Sequence, residues 1–386
     1  MPLWPVRFDL RVDLNDAALF RALVTCDALA RSINGIPLPP DVRKRIDGLN
    51  IARTVRGTTG IEGARLTEDE VSSILAAQAG VRVLPASRDR EEREARNAAR
   101  VLAEVSRLVR DDPQVAVTEP VIRRLHVLMT EGIDYASNEP GAYRKHAVNA
   151  GDYVPPRDGD EVRTLMMSFT NWLNAPPVRD WHPVVRASAA HFYFISIHPF
   201  GDGNGRTARA IESLILLQGR LNAIGFYSLA NFYYQNRSEY VRMLDYTRFE
   251  SGGDLTPFVQ FAAKGFVEEL EHVHAEVIAS STQVAFRDFA REVLDEGGEL
   301  GAKAGGRMFR LLIQLGADTV RLQDIRLGRH PIALLYRSVS ARTLTRDVDR
   351  LEKLGLVRFE DGALRARFEI MAAYRPDSDD VRPAPG

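Results

Sequence analysis

His198-Pro199-Phe200-Gly201-Asp202-Gly203-Asn204-Gly205-Arg206-Thr207-Ala208-Arg209 lies between two apolar runs, 183–197 before it and 207–217 after it. One turn thus carries an imidazole, a carboxylate, three glycines, an asparagine and two arginines. Charged side chains are rarely buried without partners, so a cluster of this kind at the junction of two core segments points to chemistry. A purely structural glycine turn is the alternative.

If the turn opens a helix near Asn204, the amides of Gly203, Asn204, Gly205 and Arg206 face outward at its positive end, where an anion is favoured. The glycines let a phosphate approach the backbone closely. Arg206 and Arg209, three residues apart, share a helix face and can clamp a di- or triphosphate. Asp202 is a hard oxygen ligand suited to Mg2+ beside that phosphate. His198 can take up a proton near neutral pH. Together these suggest nucleotide-dependent transfer onto a hydroxyl. There is no Gly-x4-Gly-Lys-Ser/Thr loop, 202–205 is too short for a calcium loop, and His182, His191 and His198 lack a zinc spacing.

Upstream, apolar positions from Leu14 to Ile33 recur at helical spacing until Gly35 and a Pro-rich stretch. A second helix is expected from Asp41 through Val55, closed by Thr58-Thr59-Gly60-Ile61-Glu62-Gly63, since Gly57, Gly60 and Gly63 each weaken a helix. On the residues alone that stretch reads as a loop with a stop signal. Thr67 to Glu70 supplies a capping box for 71–77. Residues 89–109 and 118–129 read as helices laid on a core, with His126 structural. Between 138 and 156 the period lapses, and 143–148 with 153–154 reads as a small hairpin: a lid, a docking edge or a connector. Residues 162–173, 239–244 and 258–278 return to helix.

A polar, Gly-rich break at 295–306 marks a domain boundary. From 305 to 375 there are 14 Lys plus Arg against 8 Asp plus Glu. Helices at 307–315, 321–327 and 341–354, the last capped by Ser340, precede two strands, 356–359 and 364–368, around Asp361-Gly362. That is the order of a winged helix-turn-helix. Arg342, Thr343, Thr345, Arg346 and Asp349 are candidates for its recognition surface. Residues 376–386 are expected to be disordered.

The 386 residues suit two or three domains. A hydrophobic content of 45%, a charged content of 27% and a net charge of -1 give no global drive toward nucleic acid or membrane, so such a partner must be met locally. Cys26 stands alone, which fits a reducing cytosol. The first ten residues lack a signal-peptide core and no run approaches membrane-helix length, so a cytoplasmic protein without a membrane partner is expected.

The turn resembles the Fic family motif His-Pro-Phe-x-Asp/Glu-Gly-Asn-Gly-Arg-x-x-Arg, met without a gap by 198–209. The resemblance extends over about 20–266 and includes Pro140-Gly141-x-Tyr143-Arg144 ahead of the hairpin, the Fic flap that aligns a target segment. It implies a helical core and transfer of AMP from ATP onto a protein Ser, Thr or Tyr hydroxyl. By resemblance His198 is the base and Asp202 holds Mg2+. Gly203, Asn204, Gly205 and Arg206 form the anion cradle, and Arg209 grips the γ-phosphate. Val148 and Tyr153 belong to the target-docking flap. Thr58, Glu62 and Gly63 fit the inhibitory motif Ser/Thr-x-x-x-Glu-Gly/Asn, with Glu62 competing for Arg209.

The expected architecture is mainly α, a Fic-type helical bundle with a small β-hairpin flap and a C-terminal winged helix domain. It divides into an N-terminal helical region with the inhibitory motif (1–112), a catalytic core (113–266), a helical connector (267–304), the winged helix (305–375) and the tail. Expected partners are ATP, a target protein hydroxyl and, through the C-terminal segment, DNA; a homodimer stays open. The alternatives are a DNA-binding regulator whose Fic domain senses nucleotide, or a Fic enzyme removing AMP or transferring another nucleotide-derived group.

Overall fold

The computed structural model describes residues 4–9, 11–78, 80–135, 138–151, 153–221, 228–296 and 302–374. Its chain contacts divide it into two compact units, Met1–Glu276 and Val277–Gly386. The boundary expected at 304/305 falls earlier in the chain, because residues 277–296 of a long helix pack with the downstream segment: Phe286, Ala290 and Leu294 join the C-terminal core.

In the first unit, α1 (Ala17–Gly35) starts on Asp16, whose carboxylate accepts from the Ala18 and Leu19 amides. Leu14, expected in that helix, lies before it and is exposed. The second helix, α2 (Pro40–Gly60), begins with proline at its first position, where no amide partner is required. It closes within the expected stretch, at Gly60, with Gly57 inside the helix. Gly57 is there for close packing: a Cβ would come within 2.6 Å of the Asn231 amide nitrogen. The Thr59 hydroxyl folds back onto the Val55 carbonyl (2.9 Å).

The expected capping box forms at α3 (Glu68–Ala76), with Thr67 and Glu70 bonded reciprocally. Next come α4 (Asp89–Asp111) and α5 (Glu119–Thr130), the latter capped by Thr118, then α6 (Gly159–Asn174). The central pair is α7 (Pro183–Ile197) and α8 (Asn204–Gln218), both buried along nearly their whole length. A short α9 (Ala230–Gln235), not foreseen, packs on α2, and α10 (Arg237–Phe249) outruns the expected 239–244.

The expected hairpin is not one. Among the described residues it reduces to a single antiparallel bridge, Ala150 with Tyr153. Arg144 takes the place of strand pairing by donating to four carbonyls, those of His146 (2.9 Å), Pro156 (2.6 Å), Ile197 (3.3 Å) and His198 (2.7 Å). Asp152 lies outside the described residues.

One helix, α11 (Thr256–Glu296), covers both the expected 258–278 segment and most of the connector. The Gly-rich break is shorter than expected, since Gly305 and Gly306 lie within α12 (Ala302–Leu315). Burial of Met308, Leu311, Leu312 and Leu315 on one face outweighs the roughly 1 kcal/mol that each glycine costs a helix. In the second unit β1 (Val320–Arg321) leads into α13 (Leu322–Arg326). A 3-10 turn at Pro331–Tyr336 and α14 (Ala341–Lys353) come next. Ser340 occupies the cap position of α14, but its hydroxyl meets Thr343 Oγ1 (3.1 Å) rather than an amide.

Then β2 (Val357–Glu360) and β3 (Ala363–Ala366) pair antiparallel, Val357 opposite Ala366, in a sheet of order β1-β3-β2. Asp361 (φ 52) and Gly362 (φ 75) make the two-residue turn whose twist matches the strands. Phe368, expected in the second strand, starts a 3-10 turn instead. The tail 376–386 lies outside the described residues. Among the described residues no helix is long and apolar enough to cross a membrane.

Candidate active site

The site is built where α7 hands over to α8, in the first unit. His198 closes α7 in a left-handed conformation (φ 50, ψ 59), which costs a non-glycine residue about 1–2 kcal/mol. Its amide still reaches the Phe194 carbonyl (2.9 Å). Arg144 offsets the strain by grasping the His198 carbonyl from outside the motif.

The loop after His198 is fastened from both sides. The Asn204 side chain receives the Phe200 amide and donates to the Phe200 carbonyl, both at 2.9 Å. Its side chain is therefore occupied by the turn, and what it offers a ligand is its backbone amide. Phe200 stacks on His126 at 3.6 Å. His126 accepts from the Gly141 amide through Nδ1 (2.9 Å), so Nε2 donates to the Asp202 carbonyl (2.9 Å). Burial lowers the His126 pKa to about 4, against the pull of that carbonyl, in keeping with a neutral fixture of the loop. Gly203 (φ 74) presses so close to Thr130 that a Cβ would lie 2.9 Å from its methyl group.

Arg206 and Arg209 reach different partners. Arg206 is buried, with Nη2 on Asp202 Oδ1 (2.7 Å) and Nη1 bonded to the Tyr135 hydroxyl. Arg209 turns the other way, onto Thr58 Oγ1 (2.9 Å), the Thr58 carbonyl (3.0 Å) and Glu62 Oε1 (2.7 Å). The Glu62 carboxylate sits over the first turn of α8, so that a Cβ at Gly205 would overlap its Oε1. Gly63 (φ 104) lets the chain turn away after it, and Arg237 holds the Ile61 carbonyl (3.2 Å).

Burial by itself would raise the Glu62 pKa; Arg209 and then Arg206 outweigh it and hold the carboxyl below the usual range. Burial also lowers the His198 pKa to about 4. The Ile195 carbonyl pulls it back, Arg144 pushes it further down and Glu62 pulls it up. His198 is therefore neutral at pH 7 and able to accept a proton.

Asp202 Oδ1 takes both the Gly203 amide and Arg206, while Oδ2 is not engaged by any described residue and the side chain is 42% exposed. That fits Mg2+ held through one carboxylate oxygen. Among the described residues no group of three His, Cys, Asp or Glu forms a metal cage, so a cation here would be completed by substrate phosphates and water.

Of the two flap residues, Val148 is half-buried. Tyr153 is turned inward: its hydroxyl donates to the Ser196 carbonyl (2.9 Å) and its ring lies under Arg248 (4.0 Å). It anchors the flap and is not on its docking surface. Sequence reasoning passed over Glu94 and Tyr135, and met Arg144 only as part of the Pro-Gly-x-Tyr-Arg stretch, without a role. Only Arg144 had a signal, its place behind the Pro-Gly turn.

A helical core in which a histidine-capped helix leads through a glycine-rich turn into a second buried helix has a Fic-type fold. Residues 116–216 match the Fic/DOC family, and the chain carries a Fic domain there. Glu62 and the second unit lie outside that match. The protein adenylyltransferase Fic of Aedes aegypti is 38% identical over 125 residues, 32% of this chain and 23% of that protein. Its counterpart from Drosophila erecta is 34% identical over 150 residues, 39% and 28%. The chain thus spans about a quarter of the length of the curated relatives it matches. Fic-1 (residues 134–508) of C. elegans superposes with a TM-score of 0.58 at 25% identity, covering 69% of this chain and 75% of that one. A Fic family protein of Desulfovibrio desulfuricans shares the fold at a TM-score of 0.53 and 21% identity, over 91% and 96%.

Proposed function

We propose that the chain is a protein adenylyltransferase that moves AMP from ATP to a Ser, Thr or Tyr hydroxyl of a target protein, and that Glu62 holds it in an inhibited state. The target oxygen attacks the α-phosphorus, its proton passes to the neutral His198 imidazole, the bond to the β-phosphate oxygen breaks and pyrophosphate leaves. The amides of Asn204, Gly205 and Arg206 stabilise the charge on the phosphates, that of Gly203 being turned onto Asp202 Oδ1. Asp202 would hold Mg2+, which supplies charge neutralisation at those oxygens. Arg209 would take the γ-phosphate once Glu62 leaves it. The flap around Val148 would align the target segment, with Tyr153 as its anchor.

The observation that carries this reading is the Glu62 carboxylate over Gly205 and on Arg209 at 2.7 Å, where the phosphates belong. Incubating wild type, Glu62→Gly and His198→Ala with labelled ATP and Mg2+ tests it. Glu62→Gly should label protein, itself included, well above wild type. Labelling no higher than with His198→Ala overturns the proposal. Parallel incubations with UTP, GTP and CDP-choline, and with an AMP-modified protein, would expose a different transferred group or AMP removal.

The second unit supports an additional reading, a winged helix that binds DNA. Its favouring observation is the order helix, strand, helix, helix, two strands, with Arg342, Arg346 and Asp349 exposed on α14 and Thr343 and Thr345 half-buried beside them. Salt-sensitive binding of the full chain to duplex DNA, with and without ATP, tests it; equal binding at low and high salt counts against it. A cytoplasmic location and a homodimer belong to the same set of proposals.

A further inference from the structure

Glu94 lies outside the motif, on α4, with its side chain 8% exposed. A single oxygen, Oε1, accepts from the Tyr135 hydroxyl (2.9 Å) and from Arg90 Nε (3.1 Å), and lies 3.5 Å from Arg206 Nη1. The Tyr135 hydroxyl in turn receives Arg206 Nη1. The other end of the guanidinium, Nη2, reaches Asp202 Oδ1 at 2.7 Å. A guanidinium is a rigid planar fork, so fixing one nitrogen aims the others.

We propose that Glu94 and Tyr135 are positioning residues that keep the Arg206–Asp202 contact on one carboxylate oxygen and so leave the second oxygen for the divalent cation. This rests on the reading of Asp202 as the cation's ligand. Arginine–carboxylate pairs favour two parallel N–H···O bonds. The donor for a second bond is at hand: Arg206 Nε is buried without a hydrogen-bond partner, and it flanks Nη2 on the same edge of the fork. Among the described residues the Arg206 side chain bonds through Nη1 to Tyr135 and through Nη2 to Asp202, so the hold on Nη1 is what opposes a rotation that would turn Nε toward Asp202 Oδ2. With Glu94 and Tyr135 intact, the pair stays single. Without them it closes as a fork, and the cation must displace a charge-assisted bond to enter.

The test uses the full chain in the Glu62→Gly background with Tyr135→Phe, Glu94→Gln, both together, and Asp202→Ala. Mn2+ binding to the complex with α,β-methylene-ATP is followed by electron paramagnetic resonance, beside the Mg2+ dependence of labelling and the Tm. Loss of one charge-assisted contact should raise the half-saturating metal concentration about tenfold in the double variant, with the labelling rate recovered at saturating metal. The single variant Tyr135→Phe, which removes one oxygen, should shift in the same direction by less. Unchanged Mn2+ affinity with a lowered Tm would assign both residues to packing and overturn the proposal. If Asp202→Ala binds Mn2+ as well as its parent, the reading of Asp202 fails and the proposal with it.

Discussion

Replacing Glu62 with glycine should turn ATP from an excluded ligand into a bound one. Two effects oppose ATP in the wild type. A carboxylate and a phosphate about 4 Å apart repel by about 4 kcal/mol at an effective dielectric near 20. Arg209 is also withheld from the γ-phosphate, and a charge-assisted bond of that kind is worth about 1.5–3 kcal/mol. Glu62 is a third exposed and can be pushed aside, which reduces the first term. A net gain of about 3 kcal/mol, or roughly a hundredfold in Kd, is the expected size. Without nucleotide the variant should be less stable than wild type by about 1–2 kcal/mol, since the buried Arg209 loses its partly exposed carboxylate but keeps both Thr58 oxygens. Isothermal titration with α,β-methylene-ATP and Mg2+ measures the affinity, and Tm with and without the analogue should cross over. Arg209→Ala closes a double-mutant cycle, in which Glu62→Gly should gain distinctly less. Equal Kd for wild type and Glu62→Gly within about threefold would refute the competition, because that is below the smallest of the terms above.

Gly57→Ala places a Cβ 2.6 Å from the Asn231 amide nitrogen. Overpacking should cost about 1–3 kcal/mol in urea denaturation, and because Thr58 carries two of Arg209's acceptors, ATP affinity should rise with it. His126 should make stability depend on pH. Its pKa is depressed from 6.5 to about 4, so its contribution is whole above pH 6.5 and lost as pH falls toward 4. About 2 kcal/mol should be gone at pH 5 on account of His126, and because His198 is depressed alike, a His126→Phe variant should lose about half of the slope. Arg144→Met leaves four carbonyls without their donor. It should cost about 3 kcal/mol, open 145–156 to limited proteolysis and lower labelling by Glu62→Gly more than about tenfold.

How much was legible in the residues varied with how local their reasons were. The turn 198–209 could be read because its chemistry is contiguous, and Thr67 with Glu70, or Thr118, because a cap is satisfied within one turn. Gly57 was misread as a stop signal since its reason lies at Ala230 and Asn231, far along the chain and brought close only by packing. Glu94 sits in Asp89-Arg90-Glu91-Glu92-Arg93-Glu94, where charge reads as a solvated face, and nothing local distinguishes it from Glu91. Tyr153 looked like part of a flap edge, but Ser196 and Arg248 draw it into the core.

The two arginines of the turn show what such readings need from a structure. They are chemically identical, three residues apart on one helix, and were expected to clamp one di- or triphosphate. Arg209 is held by a carboxylate that is a third exposed and stands on the turn after α2, so its partner can be exchanged for an incoming anion. Arg206 also has an exposed carboxylate, Asp202 at 2.7 Å, but its other end is held by the Tyr135 hydroxyl beside Glu94, which is 8% exposed and fastened to two further donors, so releasing Asp202 to a ligand leaves the guanidinium in place. A buried carboxylate behind the guanidinium, not the identity or spacing of the arginine, therefore makes Arg206 a support and leaves Arg209 a switch. On that argument Glu62→Gln should weaken the inhibition while Glu94→Gln should not relieve it, although both changes remove the same charge from within reach of the same helix.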